Sequence, residues 1–334
     1  MALLWIDGFD HYTSGQQSRF YEEAGYAEFN TSIKRTGSQS CRPYDNGPGF
    51  AKYINNTQTL IIGAALYINE TTYPTSSSDF LVKFSDLSTD QCSVRWGPNG
   101  RIELWRGSNK IDQTDILVYP LQQWFYFEVK VTFSTNGSWT VRINKQVVRS
   151  VSGINTIQSS NSYANKVAIG TSARNTYWDD YYICDTTGSY NNDFLGDIKV
   201  VTVYPNAEGS SLEWTPSTGS THYTLLDEAT PNDDTDYVYT STAGATETAN
   251  FQDVNLVGSI AGIMHVACIR KDDAGTRTAA LICKIGSNVY EGSEISIGNS
   301  YTFLKQLREV DPSTNLPWSI TGFNAAEFGV RMKS

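Results

Sequence analysis

The chain has 334 residues, 40% of them hydrophobic and 13% aromatic, with a formal net charge of -10 at pH 7. This length and composition allow a sizeable buried core and suggest two domains. The net acidity excludes a general nucleic-acid or anionic-membrane binder, because the 25 Lys and Arg residues are scattered singly and form no basic run.

The opening MALLWIDGFD carries no basic region ahead of a short apolar run that Asp7 interrupts, so it does not read as a secretion signal. No segment reaches the roughly eighteen uninterrupted apolar residues of a membrane span. Cys41, Cys92, Cys184, Cys268 and Cys283 are far apart and odd in number, which suits reduced, packed thiols and folding in a cytoplasm. A short helix is expected over 18–23. Strand patterns follow at 60–68, 79–84, 92–96 and 101–105, with a Pro-Asn-Gly turn at 98–100 between the last two.

Residues 124–133, WFYFEVKVTF, put Phe125, Phe127, Val129, Val131 and Phe133 on one face. Asn136 and Gly137 turn the chain back into a second strand from Trp139, a hairpin. Further strand patterns lie at 166–170 and 177–184. Turn-forming residues at 185–193 then mark a boundary, and strand pattern resumes at Asp197 in IKVVTVYP. The expected division is a first domain over 1–187, a linker over 188–193 and a second domain over 194–334. In the second, polar loops at 208–223 and 230–237 precede strand runs at 260–271 and 277–285, read as a hairpin through 272–275, and one or two helical turns over 322–329. Spacing and turn chemistry together indicate an all-β protein of two antiparallel, jelly-roll-like β-sandwich domains with very little helix.

Catalytic patterns are missing. Neither Glu103 nor Glu128 has a partner acid two residues away, so the alternating carboxylates of a retaining glycosidase, about 5 Å apart, have no counterpart. His11, His222 and His265 form no closely spaced ligand motif; His265 reads as a packed strand residue, and Cys268 and Cys283 as core thiols. No Walker or phosphate-loop pattern occurs. The chain is therefore read as a non-enzyme. Asp234 and Asp236 alternate as calcium-loop ligands do but lack the glycine and terminal Glu of an EF-hand, and a solvated acidic turn is the plainer reading. Trp214 lies among polar residues and is a candidate sugar contact or interface anchor. Pro312 and Pro317 aim Trp318 back toward the second domain, where Trp318 and Phe328 are expected to lock the carboxyl-terminal segment in place.

The segments LLWIDGFDHY (3–12), WFYFEVKVTF and WDDYYI (178–183) resemble the concanavalin A-like, laminin-G-like jelly rolls of tailed-phage virion proteins. GDIKVVTVYP (196–205), NDDTDYV (232–238) and the ending with DPSTNLPWS (311–319) and EFGV (327–330) are similar to their companion domain. The resemblance implies a virion structural protein assembled in a host cytoplasm. The tail or distal tail apparatus is its expected place, with capsid decoration and a free carbohydrate-binding module as alternatives. Implied partners are other virion proteins, further copies of the chain and a host-surface glycan. With neither heptads nor β-helix repeats, compact knobs are expected and not a fibrous shaft.

The same resemblance pairs the first strand with the last and brings Asp7, Asp10 and Asp180 near one another. Two readings stand: they hold Ca2+, or they accept backbone N–H bonds and fasten the seam, with Asp179 and Trp178 structural. On a regular strand Asp179 and Asp180 face opposite ways, so both serve one site only if a bulge intervenes.

Overall fold

The alternation in WFYFEVKVTF produces strand Trp124–Thr132, paired with Thr59–Ile68 on one side and Gly137–Ile143 on the other. Its four alternate apolar side chains, Phe125, Phe127, Val129 and Val131, and Phe133 just past its end are all buried, as a side-chain period of two requires. The structure, a computed structural model, describes residues 1–44, 49–78, 80–170 and 175–334. Over those residues the chain is all-β with almost no helix. A five-residue α-helix, Ile320–Asn324, joins 3-10 turns at Gln17–Arg19, Pro98–Gly100 and Tyr223–Leu225. The chain divides into two compact units, Met1–Val201 and Thr202–Ser334, and among the described residues its strands form six sheets.

Two sheets build the first unit. One runs in the order Gln146–Ile154, Gly137–Ile143, Trp124–Thr132, Thr59–Ile68, Thr176–Asp185, Ser40–Pro43, Ala27–Asn30, with Leu3–Asp7 also paired to Thr176–Asp185. The other runs Asn109–Gln113, Arg101–Arg106, Thr89–Gly97, Phe80–Asp86, Ala164–Ile169, Phe50–Thr57, Glu23–Ala24. Ring contacts join their apolar faces, Phe84 to Phe133 at 5.5 Å and Trp96 to Phe125 at 6.4 Å. Every residue of Thr176–Asp185 is buried, so both faces of that strand are covered.

Several expected elements differ. The run expected at 79–84 is strand Phe80–Asp86; Asp79 lies outside the described residues. The helix expected over 18–23 shrinks to the Gln17–Arg19 turn, and Glu23 already begins a strand. No strand starts at Asp197, and the next one is Pro205–Leu212. The backbone before it is already engaged: the Val200 N–H donates to Asp180 and the Ile198 carbonyl accepts from Arg35. Residues 188–201 accordingly belong to the first unit.

In the second unit the largest sheet runs Pro205–Leu212, Thr246–Phe251, Ala326–Met332, Arg277–Ile285, Asn288–Glu291, with Ile295–Ile297 also on Arg277–Ile285. The expected hairpin between 260–271 and 277–285 does not form. Both edges of Arg277–Ile285 are occupied, by Ala326–Met332 and by the Asn288–Glu291 and Ile295–Ile297 pair, so Ile263–Ile269 pairs with Thr302–Arg308 instead. The helix expected over 322–329 ends at Asn324, because Ala326–Met332 is an interior strand of that sheet.

Trp318, Phe323, Ala326, Phe328 and Cys283 form one core cluster of this unit, and Ala279, Leu281, Ile297 and Leu304 a second. Phe328 is its meeting point, with ring centroids of Trp318, Phe251, Phe323 and His265 within 6.3 Å. Burial, with the nearby Arg308 charge, pushes His265 down to about 3, so the ring packs as a neutral group. Because Trp318 is 1% exposed, Trp318→Ala removes a whole buried ring and should destabilise the second unit by roughly 3–5 kcal/mol. Denaturant unfolding followed by circular dichroism measures this, and an unchanged midpoint would show that the ring does not serve the core.

Candidate functional site

The first and last strands of the first unit pair antiparallel, with Trp5 opposite Ile183, Ile6 opposite Tyr182 and Asp7 opposite Tyr181. Across from them, pairing with Thr59–Ile68 shifts register between Asp179 and Tyr182, and Asp180 takes the left-handed value φ 51. This irregularity breaks the strict alternation of a strand. Asp179 and Asp180, expected on opposite faces of a regular strand, both reach the loop that carries Arg35 and Thr36.

Asp179 Oδ2 accepts the backbone N–H groups of Arg35 and Thr36 at 2.8 and 3.1 Å, and its Oδ1 accepts the N–H of Asp180 at 2.8 Å. Asp180 Oδ1 accepts the Val200 N–H at 2.7 Å, while Oδ2 accepts the Thr36 hydroxyl at 3.0 Å and pairs with the Arg35 guanidinium. Arg35 also pairs with Asp197, donates to the Ile198 carbonyl at 2.9 Å and lies over the Tyr126 ring. The Tyr126 hydroxyl donates to the Asp180 carbonyl at 3.0 Å.

Two strands away, across Thr59–Ile68, buried Glu128 accepts the Tyr182 hydroxyl at 2.6 Å and the Gly196 N–H at 2.8 Å, with Arg142 Nε 3.5 Å from its other oxygen. Residues 193–200 thus form a strap over the face of the sheet that bears Tyr126, Glu128, Asp180 and Tyr182. Phe194 adds its ring beneath Arg142, at 4.7 Å.

The other seam carboxylates also have partners within the chain. Asp7 accepts the hydroxyls of Tyr12 and Tyr21, each at 2.6 Å, and the Phe9 N–H at 2.7 Å. Asp10 Oδ1 accepts the N–H and hydroxyl of Ser38 and the N–H of Gln39. Gly37 makes that approach possible, since a Cβ there would sit 2.1 Å from the Asp10 carboxylate. Asp7, Asp10 and Asp180 therefore hold three different sets of donors, and among the described residues no group of three His, Cys, Asp or Glu is placed to hold a metal ion.

Burial dominates the electrostatics. It pushes Asp7 up to about 6 against the opposing bonds from Tyr12 and Tyr21, and it pushes Asp179 up to about 8 with help from the Asp180 charge. Burial also raises Asp180, opposed by the Val200 N–H and Arg35.

In the second unit, Asp234 pairs with Arg270 at 2.7 Å and accepts the Tyr301 hydroxyl at 2.9 Å. Asp236 instead accepts from Asn232 at 2.6 Å, beside Glu228, which burial and Asp236 push up to about 7. The alternating pair does not converge. Trp214 donates its indole N–H to the Ala245 carbonyl at 3.2 Å and its backbone N–H to Glu247 at 3.1 Å. Trp178 is fully buried, with Tyr181 edge-on at 6.2 Å. Cys268 stands opposite Phe303 and Cys283 opposite Tyr290 and Phe328, and neither is in a disulfide.

Reading the sequence missed Arg35, Tyr126 and the clamping role of Glu128, together with the buried pair His222 and Glu247, which meet at 2.9 Å. Glu128 alone left a trace, as a lone carboxylate within an otherwise apolar strand.

No family model and no curated protein matches the chain. Solved structures similar over part of it include a cellulose-induced protein, Cip1, at 14% identity over 53% of this chain and 89% of that one, TM-score 0.37. The endo-β-1,4-glucuronan lyase of the fungus Trichoderma reesei matches at 11% identity over 55% and 95%, TM-score 0.38. Trypanosoma rangeli sialidase matches at 14% identity over 48% of this chain and 26% of its own, TM-score 0.33. These likenesses assign neither activity nor ligand.

Two outcomes follow for the seam. Arg35→Ala leaves the buried Asp180 carboxylate without its counter-charge and should destabilise the first unit by roughly 3–5 kcal/mol, read as a lower denaturant midpoint that Arg35→Lys partly restores. The pH dependence follows from the raised carboxyls. Between about pH 4 and pH 8 the folded chain binds more protons at Asp7 and Asp179 than the unfolded chain does. Their stabilising contribution is complete below about pH 4 and is lost as pH rises through about 6 and about 8. Melts at pH 5 and 8.5 should show the first unit weaker at the higher pH; equal stability at the two would mean that both groups are ionised throughout, as they are in the unfolded chain.

Proposed function

We propose that the chain is a non-catalytic structural protein of a tailed-phage particle, built from two antiparallel, jelly-roll-like β-sandwich units. It works in the tail or distal tail apparatus. Its contacts are with other virion proteins, with further copies of itself and with a host-surface glycan.

The observation that supports this reading is the meeting of the segments that carry the resemblance. Within residues 3–12, Leu3–Asp7 pairs with Tyr181–Cys184, WFYFEVKVTF lies in the same sheet, and Gly196 and Val200 bond to Glu128 and Asp180. Three of these stretches share the bonds around Asp180 and Glu128, and the opening strand beside them carries Asp7 with donors of its own, so these carboxylates all bind donors of their own chain. A carboxylate engaged by two or three such donors is poorly placed to shuttle a proton to a substrate, which favours an architectural role over an enzymatic one.

Gel densitometry of purified particles tests the reading. A tail component should occur in a few to a few tens of copies, and antibody labelling should place it on the tail. A copy number near that of the shell protein would make it a capsid decoration protein. Absence from the particle would overturn the virion reading and leave the free carbohydrate-binding module.

A further inference from the structure

The polar face of the seven-stranded sheet carries a second constellation that the seam does not use. Register places Phe80 opposite Arg95, Arg95 opposite Glu103, Lys83 opposite both Ser93 and Ala168, Ser93 opposite Trp105, Trp105 opposite Lys110, and Lys166 opposite Tyr53. Directly paired residues of antiparallel strands share a face, so these side chains emerge on one side. The alternate residues Val82, Phe84, Val94, Trp96, Ile102 and Leu104 are buried on the other.

Three cations lie over three rings there. Lys83 Nζ is 4.2 Å from the Phe80 centroid, Arg95 Cζ 4.6 Å from Trp105 and Lys166 Nζ 5.9 Å from Tyr53. Phe80 lies across Gly170, where a Cβ would come within 2.1 Å of its ring. Trp105 is held from beneath by Glu103, fully buried, which accepts the indole N–H at 2.8 Å and the Ser77 hydroxyl at 2.7 Å and pairs with Lys110 at 3.1 Å. The aromatic platform is thus positioned before any ligand arrives, which lowers the ordering cost of binding.

Charge selects the ligand. Lys83, Arg95, Arg101, Lys110 and Lys166 share this face with Glu23, Asp90 and Glu103, a local positive excess in a chain whose net charge is -10. Lys83, Lys110 and Lys166 each pair with one of those carboxylates. Arg95 donates to the Ser93 hydroxyl at 3.1 Å, and the Arg101 Nε is buried without an acceptor; among the described residues neither guanidinium has a carboxylate within ion-pair distance. Arginine's planar fork matches a carboxylate in two parallel hydrogen bonds, and aromatic rings accept the C–H faces of sugars.

We propose that this face binds an acidic polysaccharide, with sugar carboxylates taken by Arg95 and Arg101 and sugar rings packed against Phe80 and Trp105. This deepens the host-contact part of the reading above and rests on that part alone. Binding by the purified chain is therefore measured apart from particle location: a chain that binds the glycan but is absent from particles sinks the virion reading and keeps this site.

The test is calorimetry on the full chain with an oligogalacturonate, a neutral cello-oligosaccharide of equal length and a DNA duplex. The acidic oligomer should bind, more weakly as salt is added, and the neutral oligomer and DNA should bind roughly tenfold or more weaker. Arg95→Gln should lower affinity by about tenfold or more, whereas Lys34→Gln, the same charge change at an exposed lysine elsewhere in the unit, should leave it unaltered. If Arg95→Gln melts early, Trp105→Phe and Trp105→Ala replace it, the first keeping most of the affinity and the second losing it. No binding of the acidic oligomer, equal affinity for DNA, or full affinity in Arg95→Gln or Trp105→Ala would overturn the proposal.

Discussion

A carboxylate taken out of water must find donors within the chain or keep its proton, and strand Thr176–Asp185 takes two adjacent ones into a fully buried row. The left-handed turn at Asp180 swings both acids toward one loop. The arrangement of the first unit around its seam follows from that need. The Arg35 loop must lie where its N–H groups meet Asp179 and its guanidinium meets Asp180, and the Val200 N–H must come within reach of the same carboxylate.

The rule extends to the neighbouring acids. Glu128, two strands away, is satisfied by Tyr182 and by the backbone of Gly196, so the strap that covers the sheet also supplies what that buried carboxylate needs. Asp7 gathers Tyr12 and Tyr21 over the opening strand. These are single groups whose neighbours are long-range in sequence, which makes the network cooperative: removing one donor leaves a buried charge exposed to the full desolvation cost. It also explains why the first unit ends at Val201 and not at the turn-rich stretch before it. Residues 193–200 lack strand structure but carry donors that the sheet requires.

The second unit is organised by apolar packing around Phe328 and Trp318, with polar bonds toward its margins. Strand exchange there reflects edge occupancy. Arg277–Ile285 has neighbours on both sides, so the adjacent run Ile263–Ile269 crosses to Thr302–Arg308. Burial of His265 as a neutral ring beside Phe328 belongs to the same apolar logic.

The all-β class, the WFYFEVKVTF hairpin, the Pro-Asn-Gly turn and the near absence of helix were legible in the sequence, because side-chain period and turn chemistry are local properties. So was the importance of YWDDYYIC, though not its geometry. Opposite-face alternation is the default of any strand, and whether a bulge overrides it depends on a partner strand that no local pattern names. The Arg35 and Thr36 donors to Asp179 and Asp180 lie 144 residues away, and the IKVVTVYP run reads as a strand until tertiary contacts claim its backbone. The cation and ring pairs of the seven-stranded sheet are equally invisible along the chain, since they exist only once register sets Arg95, Glu103 and Trp105 side by side. Sequence alone determined the all-β class and the apolar face of strands such as Trp124–Thr132; tertiary structure decided which runs become strands, which strands meet and where each buried carboxyl finds its donors, because pairing partners and donors are chosen by distance in space.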